Sequence, residues 1–413
     1  MKIKIVVISM VFMMMCGSFS VSANIDIKDI EANSELTTNI TTHDALKYWE
    51  RYPYCPLGTD ITFPLDEGVH NPEVFYPNEW WYANFLVTGK STGSEYGVFV
   101  SFFKHPQMLL FSISDLNQKK SYTDSKFGTF RGAEGALDLT FSTLFDKDYW
   151  YTKQTEDGEL IPFQYRIEVD GKDREYNNQK MEINVDMHCL KPPLIASGDG
   201  IVEIGTGGSY YYCQTKIEVT GDITVHGITE EITGFGWIDH QWRNLFMCQS
   251  SGRFAWEWFS IKLNDNSEIL VGDVFWMHSK EYYGGYTDGL NLFNANNKLE
   301  LYEDYTITQL DFWTDPVTER KFSTKWRLTE PSKPIDLTIN AEFENQMMHI
   351  VTNPTLIELI LKIFPFTLFW EGFCTVSGTI GDKQVSGDAY VELTHSWEDR
   401  GGTENIQEIS EGN

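Results

Sequence analysis

Seven consecutive residues, Met181-Glu182-Ile183-Asn184-Val185-Asp186-Met187, place four apolar side chains on one parity and three polar ones on the other. The pattern returns 154 positions later in Ile335-Asp336-Leu337-Thr338-Ile339-Asn340-Ala341. Side chains leave a strand alternately on opposite sides, so such a run is a strand with one dry and one wet face. Two further pairs keep nearly the same spacing. Val225-His226-Gly227 and Ile232-Thr233-Gly234-Phe235-Gly236-Trp237-Ile238-Asp239 match Val376-Ser377-Gly378 and Val385-Ser386-Gly387-Asp388-Ala389-Tyr390-Val391-Glu392. Near the start of each half, Trp80-Trp81-Tyr82-Ala83-Asn84-Phe85-Leu86-Val87 echoes Trp256-Glu257-Trp258-Phe259-Ser260-Ile261-Lys262-Leu263. A repeat of this length means duplicated domains, because solenoid units are several times shorter. Short alternating strands in each half predict an all-β chain of two antiparallel barrels or sandwiches.

The ends read differently. Lys2 and Lys4, the apolar run Ile5 to Met15 and the small residues Val21-Ser22-Ala23 form a secretory leader pattern, which places the mature start near Asn24. A lipid-anchored Cys16 is the competing and weaker reading. The expected organisation is a leader over 1–23, an extension over 24–56, a first barrel over 57–245, a second over 246–397 and a loose acidic tail over 398–413. The crowded apolar stretch Asn353 to Trp370 predicts a short helix ending at Pro365, either plugging a barrel end or touching a membrane surface transiently. Beyond the leader, Cys55, Cys189, Cys213, Cys248 and Cys374 lack any C-x-x-C spacing and read as plain thiols.

A formal net charge of −28 repels phosphate backbones and argues against nucleic acid as a partner. The nine histidines show no H-x-H or H-x-x-x-H spacing, so no metal or cofactor is expected. Gly205-Thr206-Gly207-Gly208 precedes Ser209-Tyr210-Tyr211-Tyr212 instead of a helix start, and reads as a turn, not a phosphate cradle.

Four motifs stand in order along the chain: Asn78-Glu79-Trp80-Trp81-Tyr82, Gly236-Trp237-Ile238-Asp239-His240-Gln241-Trp242, Phe369-Trp370-Glu371-Gly372 and Ala389-Tyr390-Val391-Glu392-Leu393-Thr394. Together they resemble the signatures of the carotenoid 1,2-hydratase and AttH-like family from roughly Leu57 to Trp397, with Ala389 where that family has glycine. The resemblance implies two tandem lipocalin-like barrels. It further implies a lipophilic, isoprenoid-like ligand and hydration of an isolated carbon–carbon double bond, with a non-catalytic carrier or a cyclase as alternatives.

Such a hydration needs a proton donor and an aromatic wall for the resulting cation. Asp239, His240 and Trp242 supply these types and are the expected catalytic group. Glu79, Trp80, Trp81, Tyr82, Trp370, Glu371, Tyr390 and Glu392 are expected to line the substrate. Strand geometry adds a condition: on a regular strand His240 and Trp242 share one face while Asp239 points to the other. Asp239 also occupies the repeat position of Glu392, so a structural role in closing each domain competes with catalysis, through backbone capping or a pair with Arg243. The tryptophans of the opening strands, Trp80, Trp81, Trp256 and Trp258, are expected to pack cores sooner than to take part in catalysis.

Overall fold

A computed structural model of the chain describes residues 48–71, 78–173, 176, 178–204, 207–243, 248–249, 252–276, 281–349 and 368–400. The leader, most of the N-terminal extension, most of the acidic tail and the helix expected after Asn353 lie outside the described residues. Among those described, regular structure is strand apart from two short 3-10 turns, Leu65–Glu67 and Trp397–Arg400.

Thirteen strands form one antiparallel sheet and twelve form another. In the first, the opening strand Asn78–Gly89 lies between Glu95–Phe103 and the closing strand Ile228–Arg243, which also pairs with Gly207–Val225. In the second, the opening strand Gly252–Leu263 lies between Glu268–Trp276 and the closing strand Lys383–Leu393, itself paired with Leu368–Ile380. Even the register repeats. Tyr82 stands opposite Asp239 in the first sheet, and Trp258 opposite Glu392 in the second.

Both sheets curl until distant strands meet. Lys126, on the edge strand Lys120–Phe127, reaches Asp148 at 2.8 Å and Asp170 at 2.9 Å on strands Lys147–Gln154 and Leu160–Asp173. In the second sheet Gln309, on the edge strand Thr306–Thr314, donates to Glu257 of the opening strand at 2.8 Å. The result is the expected pair of tandem barrels.

Alternation sorts the apolar side chains into three cores. Trp81, Phe85, Ile167 and Val185 fill the first barrel, while Phe259, Trp326, Leu337 and Trp370 fill the second. The third core is the seam between the barrels, where Tyr82, Phe99, Tyr211 and Trp237 from the first meet Trp256, Trp258, Phe373 and Tyr390 from the second. Repeat-related residues touch there: Asn84 Nδ2 donates to Ser260 Oγ at 3.5 Å, and the Tyr82 ring meets Trp258 edge-on at 5.4 Å. Lys191 adds a buried polar tie, donating to Glu268 at 2.5 Å and to the Asn266 and Asn294 carbonyls.

The segment before the opening strand belongs to the first barrel. Trp49, Ile61, Phe63 and Val69 are buried in its core, with Tyr52 and Tyr54 packed against it. The expected boundary at residue 57 falls within this segment. The Leu65–Glu67 turn is held by Thr62, whose backbone N–H donates to Asp66 Oδ2 at 2.6 Å. It projects Asp66 and Glu67 towards the barrel interior, where both reappear below.

The paired glycines of the repeat have a steric role. A Cβ on Gly234 would lie 2.1 Å from the Leu86 carbonyl oxygen, and one on Gly387 would lie 1.9 Å from that of Lys262. Each closing strand thus rides against its opening strand at a distance only glycine permits. Gly387→Ala is expected to cost ~1–3 kcal/mol, the usual range for overpacking. The check is a denaturant midpoint; an unchanged value would show that the strands can part without cost.

Candidate functional site

The closing strand of the first barrel is regular through the expected catalytic group, with Trp81 opposite His240 and Tyr82 opposite Asp239. The irregularity nearby lies on the neighbouring strand, between Gln214 and Ile217. Asp239 and His240 therefore point to opposite faces, and the group expected to act as one unit is split. Glu79, Trp81, His240 and Trp242 face the first barrel's interior, whereas Trp80, Tyr82, Asp239, Glu371, Tyr390 and Glu392 face the seam. Trp370 joins neither set. It is buried in the second barrel's core with its indole N–H on the Glu344 carbonyl at 2.8 Å.

Inside the first barrel, His240 is wholly buried and stacked on Trp81, with ring centroids 4.4 Å apart. His70 stacks on Trp242 at 4.3 Å. The two imidazoles converge on Glu79 Oε1, with His70 Nδ1 at 2.8 Å and His240 Nε2 at 3.2 Å. Asp66 grips the other side of each ring: its carboxylate lies 2.9 Å from His70 Nε2, and its backbone carbonyl accepts from His240 Nδ1 at 3.1 Å. Lys104 donates to Glu79 Oε2 at 3.2 Å and to the His70 carbonyl. Burial works to raise Glu79, but hydrogen bonds and charge from His240 and His70 hold it at about 2. Burial lowers His240. It pulls His70 the same way, yet the hydrogen bonds and charges of Asp66 and Glu79 win and raise it.

Glu67 lies beside this group on the same turn. It accepts from Tyr165 at 2.6 Å and Tyr52 at 2.8 Å, and burial pushes its carboxyl up to about 7.

The seam gathers three carboxyl groups, of which Asp239 and Glu371 are buried and Glu392 is half-buried. Asp239 accepts from Tyr211 at 3.1 Å, and Tyr211 in turn accepts from the Trp258 indole at 2.9 Å. Glu371 accepts from Tyr82 at 3.1 Å, and Glu392 from the Trp256 indole at 3.1 Å. Burial, reinforced by the charge of Glu392, raises Asp239 and Glu371 well above the ordinary carboxylate range. Burial pushes Glu392 up to about 8. Neutral carboxylic acids are thus held at ordinary pH against aromatic faces, in the manner of a general acid in an apolar pocket. Gln241 lies on the same face. Its carbonyl accepts from Tyr286 at 2.8 Å, while its buried amide nitrogen has no partner among the described residues. The Arg243 pairing weighed for Asp239 is not formed; that guanidinium sits over the Tyr210 ring at 5.4 Å.

A family model described as AttH-like matches residues 56–396. The chain belongs to the AttH-like family. Among curated proteins, none matches by sequence. A putative AttH from Nitrosomonas europaea has a similar structure, with a TM-score of 0.62 at 20% identity over 83% of this chain and 99% of that one. Kievitone hydratase from Nectria haematococca gives 0.59 at 16% identity, covering 76% of this chain and 88% of that one. CghA, solved with Sch210972, gives 0.50 at 12% identity over 77% and 88% of the two chains. The tandem lipocalin-like barrel architecture is therefore that of AttH-like proteins and is shared with a hydratase.

Sequence reasoning missed Asp66, Glu67, His70 and Tyr211. For the first three, the spacing Asp66-x-x-x-His70 was a usable signal, since i,i+4 carboxylate and imidazole can meet around one turn. Tyr211 carried none, standing in a run of three tyrosines. Cys189, Cys213 and Cys374 are buried free thiols, as expected, whereas Cys55 is an exposed one; the Cys248 side chain lies outside the described residues.

Proposed function

We propose that this AttH-like chain holds an isoprenoid-like or similarly lipophilic molecule at the seam and adds water across an isolated carbon–carbon double bond. The observation carrying this is the trio Asp239, Glu371 and Glu392, neutralised by burial among Tyr82, Trp256 and Trp258. One of the acids gives its proton to one alkene carbon, using the π pair for the new C–H bond. The other carbon becomes a tertiary cation facing the aromatic rings. Water attacks it, and the proton released returns to the carboxylate. Loss of a neighbouring proton instead of water attack gives isomerisation on the same site. Gln241 supplies a buried donor for a polar group on the ligand. In this reading His240 is not the proton donor, because it faces away from the seam. The leader pattern over 1–23 supports a location outside the cytoplasm, where the apolar stretch after Asn353 would meet a membrane surface and take up the ligand.

The test has two arms. Mass spectrometry of the solvent extract from natively purified full chain identifies any bound lipid. Incubation with prenyl-chain alkenes in ¹⁸O-labelled water then reads hydration directly. At least one of Glu371→Gln and Asp239→Asn is expected to lower turnover by ~100-fold or more, the usual share of a general acid. A lipid in the extract with no label uptake would make the protein a carrier. Activity that survives both substitutions but is lost in His240→Gln would move the chemistry into the first barrel.

A further inference from the structure

The polar cluster inside the first barrel is unused by the proposed hydration, and its geometry has a feature that hydrogen bonding alone leaves unresolved. A backbone carbonyl can only accept, so the Asp66 carbonyl fixes the proton of His240 on Nδ1. The neutral ring then turns the lone pair of Nε2 towards Glu79 Oε1, itself an acceptor, at 3.2 Å. His70 is arranged alike. In the tautomer that donates from Nε2 to the Asp66 carboxylate, its Nδ1 is aimed at the same Glu79 oxygen at 2.8 Å. One aspartate thus orients two imidazoles from behind, and their free nitrogens and a carboxylate oxygen converge within 4.8 Å of one another. A cation held between them, a metal ion or a proton, would relieve the facing lone pairs.

We infer that His70, Glu79 and His240 form a binding site for a divalent transition-metal ion of the zinc class. The donor set of two imidazoles and one carboxylate suits zinc, which leaves a fourth position for water. Asp66 supplies what metal-ligating histidines ordinarily have, an acceptor on the distal ring nitrogen that fixes tautomer and orientation. Trp81 and Trp242, stacked on the two rings, hold their planes. Zinc–nitrogen bonds of about 2.0–2.1 Å need donors a little further apart than they stand, so Glu79 would draw back by a few tenths of an ångström. His70 is 19% exposed and gives the ion a way in, whereas His240 and Glu79 are closed off. Lys104 on Glu79 Oε2 balances that carboxylate from outside the donor set. The site lies on the opposite face of the closing strand from the seam acids, so it stands or falls independently of the hydration.

The competing arrangement is a proton in place of the metal, with His70 as an imidazolium between Asp66 and Glu79. Calorimetric titration of the chelator-treated full chain with zinc chloride separates the two. One saturable equivalent is expected in the parent protein. His70→Gln, at the accessible ligand, and Glu79→Gln should each weaken binding tenfold or more, whereas Asp239→Asn on the far face should bind as the parent does. Cobalt substitution should give the visible absorption of a four-coordinate ion, a readout that a purely structural cluster would not produce. Absence of saturable binding in the parent, or equal binding in the two ligand variants, would overturn the site. So would ¹⁵N shifts showing His70 protonated on both nitrogens with zinc present in excess.

Discussion

Glu392→Gln is expected to make the protein more stable than its parent at pH 8.5 and to flatten the dependence of stability on pH. The carboxyl of Glu392 moves from an ordinary 4.5 to about 8 because the seam removes it from water. Between those two values the folded chain keeps a proton that the unfolded chain has released. Stability of the parent therefore falls as pH rises through that window, and is highest below it. Each unit of such a shift corresponds to about 1.4 kcal/mol, so the gain from a neutral isostere at pH 8.5 is on the order of a few kcal/mol. Near pH 4 the two proteins should be close to equal. Urea midpoints across the range check this, and parallel curves would mean the carboxyl is solvated. The same substitution removes one of the proposed acids, so stability and turnover should move in opposite directions, as they do where an active site stores unfavourable burial.

The second large effect concerns the closure of the first barrel. Lys126 is buried with both oxygens of Asp148 at 2.8 Å and one of Asp170 at 2.9 Å, and Asp148 is wholly inaccessible. Lys126→Met would leave Asp148 as a buried charge without its cation, which ordinarily costs ~3–5 kcal/mol. Burial already holds Asp148 at about 6 with the lysine in place. Without it the carboxyl should protonate more readily, so the deficit against the parent should shrink at pH 5 and widen at pH 8. Lys126→Met/Asp148→Leu should recover most of the loss. If the single variant melts with the parent at pH 8, the pair does not hold the edge strand in place.

The sequence displays the architecture openly because alternation and duplication are local patterns. The runs 181–187 and 335–341 fall within strands Gln179–Cys189 and Ile335–Ala341, and the Trp-rich segments open both barrels. Parity alone also separated Asp239 from His240 once the strand proved regular. What parity cannot give is the identity of the opposing surface. Glu371 and Glu392 stand opposite each other on paired strands of the second barrel, and only the packing of one barrel on the other brings Asp239 within their electrostatic reach. Likewise His70 precedes the first strand and meets His240 through a segment with little strand pattern of its own. Long-range convergence leaves no periodic trace, so the fold was legible and the sites were legible only in part.

The contact of Asn84 with Ser260, and of Tyr82 with Trp258, joins positions that correspond under the internal repeat. Self-matching of this kind is what an isologous two-fold interface produces. The chain therefore has the anatomy of a homodimer whose subunits became covalently fused. In an obligate homodimer every substitution at the axis appears twice, which forces both halves of a pocket to stay alike. Fusion lifts that constraint: one copy could keep aspartate where the other took glutamate, and His240 could persist in one barrel while leucine came to stand at its counterpart, Leu393. An asymmetric small molecule needs an asymmetric receptacle, and a tandem chain can evolve one where a symmetric pair cannot.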